Sequence, residues 1–230
     1  MMPRHIGIVA CSAEGAALCY KTICHEAAMF LGEHAHPEVS MHTHCLADYE
    51  AFLDRQDLEG VGKLMLSSAQ KLESIGAEVL ICPDNTIHQA FSYVVARSSA
   101  QWLHIAEIVA EAARERVYHR LGLLGTRWLV ESDVYPAILQ AHGFECVRPA
   151  LEDRQRVHEI IRDELVCGVE RRESIEILGE IIGQLATQGC DVVILGCTEL
   201  PLVLNNSNSP IPTLDSTRLL ARAALRAALA

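Results

Sequence analysis

Asp191-Val-Val-Ile-Leu-Gly-Cys-Thr-Glu-Leu-Pro201 is the stretch on which the reading of this chain turns. Val192 to Leu195 are apolar without alternation, the pattern of a strand buried on both faces of a parallel sheet. The run stops abruptly at Gly196, which lets the backbone turn tightly where open α/β sheets hold their ligands. A thiol and a hydroxyl, Cys197 and Thr198, therefore fall where a substrate would sit. Taken alone, Cys197 fits equally well the ordinary fate of a cysteine, that of a small buried hydrophobe.

The chain echoes this stretch once. Gly76-Ala-Glu-Val-Leu-Ile-Cys-Pro-Asp-Asn-Thr86 lays onto Gly189-Cys-Asp-Val-Val-Ile-Leu-Gly-Cys-Thr-Glu199 without a gap. Each follows an amphipathic helical pattern, over residues 61–75 and 174–188. In this register Asp84 matches Cys197, Asn85 matches Thr198 and Cys82 matches Leu195. A second echo pairs Ile6-Gly-Ile-Val-Ala-Cys-Ser12 with Leu121-Gly-Leu-Leu-Gly-Thr-Arg127. Two strand-and-loop echoes in the same order imply two similar α/β halves. A duplicated fold of this kind is expected to hold its active site between the halves, each offering one strand end.

Composition narrows the function. The chain has 230 residues, enough for one large domain or two lobes of about a hundred residues each. A formal charge of −11 and a pI near 5.4 leave no basic face for phosphates, which argues against nucleic acid. Nine cysteines, an odd number with no Cys-x-x-Cys and no secretory signal, read as thiols in a reducing cytoplasm. No stretch approaches the roughly 20 apolar residues that a membrane span requires. No glycine-rich dinucleotide loop, phosphate loop or strong metal set appears. The paired histidines His34/His36 and His42/His44 lack the cysteine partners typical of zinc sites.

Strand and helix patterns alternate along the chain. Strands are expected over residues 5–10, 38–43, 79–82, 102–104, 120–124, 144–148 and 192–195. Helices are expected over 16–31, 57–75, 88–96, 105–116, 132–142, 152–167, 174–188 and 217–229. Asp48-Tyr-Glu50 reads as a solvated helix start, and residues 205–210 as a loop. Alternation throughout predicts an α/β fold of two similar lobes, each a parallel sheet flanked by helices. The lobes are expected to comprise residues 1–96 with 213–230, and residues 97–212.

Together, these residues resemble the aspartate/glutamate racemase family. The resemblance rests on the opening Gly-Ile-Val with its small-residue loop, Asp84-Asn-Thr86, Gly125-Thr-Arg127 and Gly196-Cys-Thr-Glu-Leu-Pro201. Ile160 to Gly168 and Pro212-Thr-Leu-Asp-Ser-Thr217 add to it. It covers essentially the whole chain. It implies two α/β lobes with a cleft between them, and a small-molecule substrate, an aspartate- or glutamate-like amino acid. It also implies no pyridoxal phosphate or other cofactor, and racemisation by two opposed acid/base groups, usually cysteines. The family habit and several apolar helix faces suggest a homodimer.

One departure matters. The family's first-lobe motif is typically Cys-Asn-Thr, and here the cysteine position is Asp84. Cys82 lies two residues earlier, on the same side of the strand and one step deeper, so it remains the alternative. A second departure concerns the far end of the substrate, where relatives present basic residues. Here the corresponding segments offer His42, His44 and Arg162.

The chemistry follows from these groups. An α-proton is barely acidic, so its removal needs a base held in contact and stabilised carbanion charge. Ser12, Asn85, Thr86, Thr126 and Thr198 are the expected donors to the α-carboxylate. Cys197 as thiolate would take the proton on one face and Asp84 would act on the other. A thiol of reference pKa about 8.5 is a reasonable base, whereas a carboxylate near 3.9 is weak unless burial raises it. Two other readings fit the same strand ends: a one-cysteine decarboxylase or isomerase of a small dicarboxylate, and a non-catalytic ligand-binding relative.

Overall fold

The computed structural model describes residues 2–230. The chain divides into two compact units: the first runs to Ile105 and takes in Thr217–Ala230, and the second is Ala106–Ser216.

The first unit begins with β1 (Ile6–Ala10), α1 (Ala13–Leu31), β2 (Val39–Thr43), α2 (Leu46–Asp54) and α3 (Leu58–Ser74). There follow β3 (Val79–Ile81), a 3-10 turn (Thr86–Ala90), α4 (Phe91–Val95) and β4 (Gln101–Leu103). The four strands form one parallel sheet in the order β2-β1-β3-β4. The two inner strands are buried at every residue, whereas the edge strand β2 exposes Met41 and Thr43. Continuous apolar runs thus take the centre and mixed ones the edge. Ser12 caps α1 through Gly15 N–H and Asp57 caps α3 through Gly60 N–H, at 3.3 and 2.8 Å.

The second unit contains α5 (Ile105–Glu115), β5 (Arg120–Leu124), α6 (Arg127–Val130), α7 (Val134–Ala141), β6 (Glu145–Val147) and α8 (Leu151–Glu159). A π-helical turn (Ile160–Glu164), a 3-10 turn (Leu165–Cys167), α9 (Arg172–Thr187), β7 (Val192–Leu195), α10 (Leu200–Val203) and β8 (Thr213–Asp215) complete it. The sheet order is β6-β5-β7-β8, again all parallel. On α9, Leu178, Ile181, Ile182 and Leu185 recur at helical spacing and cover β7 in a single core cluster. Each such side chain contributes roughly 1.5–3 kcal/mol on full burial. The chain then returns to the first unit through α11 (Ser216–Leu229), where Arg222 forks onto Glu26 through two 2.8 Å bonds.

The internal echo is present in the strand registers. Ile6 pairs with Val79 in the first sheet, and Leu121 pairs with Val192 in the second. These are the residues that the two sequence echoes equate. Asp84 lies three residues beyond Ile81 and Cys197 three beyond Ile194, and Ile8↔Ile81 corresponds to Leu123↔Ile194. Asp84 and Cys197 are therefore topological equivalents, each just past the second inner strand of its unit.

Several elements depart from the sequence reading. The helix expected over 152–167 is α8 followed by the π and 3-10 turns. Val157, Ile160, Ile161 and Leu165 still share the buried face, and the wider π turn keeps Leu165 there. The helix expected over 88–96 is a 3-10 turn running into α4. Tyr49 is not at a solvated helix start: it is wholly buried inside α2. The strand β8 stands where only a pre-helical segment was read.

Candidate active site

In the second unit, two glycines bring the ends of β5 and β7 together. Gly196 N–H donates to Leu124 O at 2.7 Å, and a Cβ on Gly196 would stand 2.7 Å from that same oxygen. A Cβ on Gly125 would meet Leu129 Cδ2 at 2.9 Å and Gly196 O at 3.1 Å. Glycine is required here by close approach rather than by backbone conformation. Thr126 and Cys197 then leave from adjacent strand ends, and Thr126 caps α6 through Leu129 N–H at 3.3 Å.

The turn after β7 holds a contact that the sequence reading did not anticipate. Cys197 Sγ–H donates to Glu199 Oε2 at 2.9 Å, and Thr198 Oγ1–H donates to the same oxygen at 2.7 Å. Glu199 is 2 % exposed, and its other oxygen, Oε1, has no hydrogen-bond partner among the described residues. Taking a carboxylate out of water costs several kcal/mol unless it is paired. Charge-assisted bonds from its two preceding neighbours offset part of that cost on one oxygen only. In the sequence Glu199 stands out only as part of the Gly-Cys-Thr-Glu pattern. The available signal was its spacing, two residues beyond the cysteine in a tight turn.

The second unit also holds an aromatic and basic group. Trp128 meets the edge of His158 with centroids 4.8 Å apart, and the Arg162 guanidinium lies 5.4 Å from the Trp128 ring. His158 Nδ1 accepts a long hydrogen bond from Arg127 N–H at 3.4 Å. Arg162 is thus carried on the π-helical turn against Trp128, the kind of irregular turn that often marks function.

In the first unit, Asp84 follows Pro83 at the end of β3. Its Oδ1 accepts from Ile87 N–H at 3.1 Å, so it opens the 3-10 turn. Its carbonyl accepts from His88 Nδ1 at 2.7 Å and from Cys82 Sγ at 3.8 Å. Asp84 is half-buried, whereas Cys82 is completely buried, and burial pushes the Cys82 thiol well up. Asn85 and Thr86 are buried beside Asp84, and Ser12 is buried at the end of β1. Tyr49 brings a phenol into the same neighbourhood. Burial, then Cys11, Cys82 and Asp84, push its ionisation up. Ser68 favours its phenolate, but Tyr49 Oη has no partner in hydrogen-bond geometry among the described residues.

His42 and His44 stand together, 4.9 Å between ring centroids, at the end of β2. Lys71 Nζ donates to His42 Nε2 at 2.9 Å, which fixes the tautomer whose Nδ1–H donates to Ser68 Oγ at 2.9 Å. Burial, then Lys71, lowers the pKa of both histidines. The cation of this group is therefore Lys71, a residue the sequence reading passed over. Its signal was the spacing of Ser67, Ser68 and Lys71 on one face of α3.

Residues 8–224 match the Asp/Glu/Hydantoin racemase family. The chain belongs to that family. The broad specificity amino-acid racemase RacX of Bacillus subtilis is 27 % identical over 176 residues, covering 76 % of this chain and 75 % of RacX. A protein from Yersinia pestis, solved as a candidate Asp/Glu racemase, superposes with a TM-score of 0.89 at 28 % identity, covering 99 % of this chain and 100 % of that one. An aspartate racemase homologue from Pyrococcus horikoshii superposes with a TM-score of 0.84 at 27 % identity, covering both chains fully. The members of this family are racemases, which are isomerases.

The nine cysteines are thiols of unequal character. Burial raises the pKa of Cys82, Cys190, Cys24 and Cys146, the last to about 11 despite the lowering effect of Arg148. Cys45 and Cys167 are exposed. Among the described residues no group of three or more His, Cys, Asp or Glu is placed to hold a metal, and no helix is long and apolar enough to cross a membrane.

Proposed function

We propose that the protein racemises an aspartate- or glutamate-like amino acid without a cofactor, with Cys197 and Asp84 as its two acid/base groups. The observation that carries this reading is the shared register: Asp84 occupies in the first unit the position that Cys197 occupies in the second. The burial of Cys82 beneath the Asp84 carbonyl supports Asp84 over Cys82 as the first unit's group.

Cys197 works as a pair with Glu199. The thiol proton already points at Glu199 Oε2, so moving it across leaves a thiolate and a neutral carboxyl without drawing on solvent. The thiolate then takes the α-proton, and the charge left on the substrate spreads onto its α-carboxylate. Ser12, Asn85, Thr86, Thr126 and Thr198 are the groups proposed to receive that carboxylate. Asp84, once protonated, returns a proton to the opposite face. For the reverse direction the two groups exchange tasks. Lys71 with His42 and His44, and Arg162 on Trp128, are the basic groups available for a side-chain carboxylate.

A second reading has one observation in its favour: of the thiols at these two strand ends, Cys82 is 0 % exposed and Cys197 is 9 % exposed, which leaves Cys197 the more accessible. A one-cysteine decarboxylase or isomerase of a small dicarboxylate would use that side alone. One experiment separates the two. Enantiomerically pure amino acids and small dicarboxylates are incubated in deuterated water and followed by NMR. Racemisation is expected with α-deuterium incorporation, lost in Cys197→Ser. Turnover of a dicarboxylate with no amino acid losing its α-hydrogen would overturn the racemase reading.

A further inference from the structure

Asp84 lies in a segment with no regular structure, between the last residue of β3 and the turn that begins at Thr86. An acid/base group must nonetheless be held to a fraction of an ångström, since a 1 Å misplacement costs on the order of 100-fold in rate. What holds it is visible in the side chain four residues on. His88 is buried, and each ring nitrogen meets the main chain. Nδ1 is 2.7 Å from Asp84 O, and Nε2 accepts from Ile105 N–H at 3.3 Å. A carbonyl oxygen can only accept and an N–H can only donate, so the ring must be the neutral tautomer with its proton on Nδ1. The ring plane is set on two sides: Phe91 stacks on it at 5.2 Å with 9° between planes, and His104 meets it edge-on at 4.8 Å. Burial, with His104 as the second cause, lowers the His88 pKa to about 3, which keeps the ring neutral.

We infer that His88 is the positioning residue for Asp84: it clamps the Asp84 carbonyl to the first amide of α5 and so aims the carboxyl without touching substrate. The bond from Nδ1 fixes the peptide plane between Asp84 and Asn85. That plane sets the backbone angle from which the Asp84 side chain projects, and it sets the direction of the Asn85 amide. The opposite anchor, Ile105 N–H, is one of the otherwise unpaired amides at the start of a helix, so it is rigid and available. The inference rests on the reading of Asp84 as an acid/base group.

The test splits the two halves of the clamp. His88→Asn places an amide N–H near Nδ1 and keeps the donor to Asp84 O. His88→Gln reaches the Nε2 position, keeping an acceptor for Ile105 but not the donor. His88→Phe keeps the stacking and loses both. The probe is α-hydrogen exchange in deuterated buffer for each enantiomer of aspartate, glutamate, alanine and lysine, with Asp84→Asn and Cys197→Ser identifying which enantiomer each face deprotonates. Exchange from the Asp84 face should fall on the order of 10–100-fold in the Gln and Phe variants. It should survive in the Asn variant, and exchange from the Cys197 face should stay near wild type in all three. If Asp84→Asn leaves both enantiomers exchanging normally, or wild type exchanges none, the underlying reading of Asp84 is what fails, and the inference falls with it. If Asp84→Asn silences one face while the Gln and Phe variants slow both faces equally, or neither, His88 is a packing residue and the inference is overturned. Should the Gln and Phe variants not fold, the Asn variant decides: loss of Asp84-face exchange there overturns the clamp, and retention supports it.

Discussion

Acidification should weaken the first unit through one imidazole. In the folded protein the His88 pKa is lowered to about 3, by burial first and by His104 second. In the unfolded chain it returns to about 6.5. Between those values the unfolded chain binds a proton that the folded one refuses, so stability falls as pH falls. The slope from this group is about 1.4 kcal/mol per pH unit, which accumulates to roughly 2–3 kcal/mol between pH 7 and pH 4.5. The groups facing the ring are His104, Phe91 and the main-chain partners Asp84 O and Ile105 N–H, and among the described residues no carboxylate side chain is hydrogen-bonded to it to cancel the effect. His88→Phe removes the titration. At pH 7 that variant should be destabilised by about 2–5 kcal/mol, because a buried carbonyl and a buried amide each lose a partner. At pH 4.5 the gap between wild type and variant should narrow by the 2–3 kcal/mol that wild type alone has lost. Urea unfolding at the two pH values measures this. A Trp128→Phe background leaves Trp102 as the sole tryptophan, in β4 and edge-on to the Phe91 ring that stacks on His88. A gap that stays constant between pH 7 and pH 4.5 would refute the argument.

Three further outcomes are expected. Glu199→Gln keeps the size of the side chain but removes the proton acceptor beside Cys197. Exchange from the Cys197 face should drop on the order of 10²–10⁴-fold with its pH profile altered, and an unchanged profile would remove Glu199 from the chemistry. Gly196→Ala drives a methyl to 2.7 Å from Leu124 O, so a loss of about 1–3 kcal/mol is expected in thermal unfolding, with activity impaired because the strand ends must part. Iodoacetamide should alkylate the exposed Cys45 and Cys167 readily, but inactivation should follow Cys197 and be slowed by bound substrate; peptide mapping against residual activity reads both.

The fold was legible because its decisive features are local. The strands over 120–124 and 192–195 appear where apolar runs predicted them, and the two echoes lie in the same register in both sheets. What escaped the sequence depended on side chains meeting in space. Tyr49 sits between two acidic residues, Asp48 and Glu50, and nothing local says that its ring faces inward from α2. The three residues of β8 are too few and too mixed to announce a strand; pairing with β7 makes them one. Pattern and register are what lead to the proposal of Cys197 and Asp84 as the acid/base pair. The contact between Cys197 and Glu199 needed the turn geometry, because a side chain two residues away points elsewhere in an extended strand and back only in a turn. Likewise Lys71 reaches His42 from another element, across 29 residues of sequence.

The return of α11 to the first unit has a consequence for synthesis. In this helix, which belongs to the first unit, Leu220, Ala221, Ala224 and Leu225 are buried, Arg222 holds Glu26, and Arg4 N–H bonds Ala228 O at 2.8 Å. On the ribosome, everything up to Ile105 emerges without this helix and waits while Ala106–Ser216 are made. At about 5–20 residues per second the wait lasts on the order of 5–20 s. The second unit is contiguous and can close as soon as β8 emerges, while the first carries an uncovered apolar surface through that interval. The first half of the nascent chain is therefore the half most exposed to chaperones and to mispairing, although it is made first.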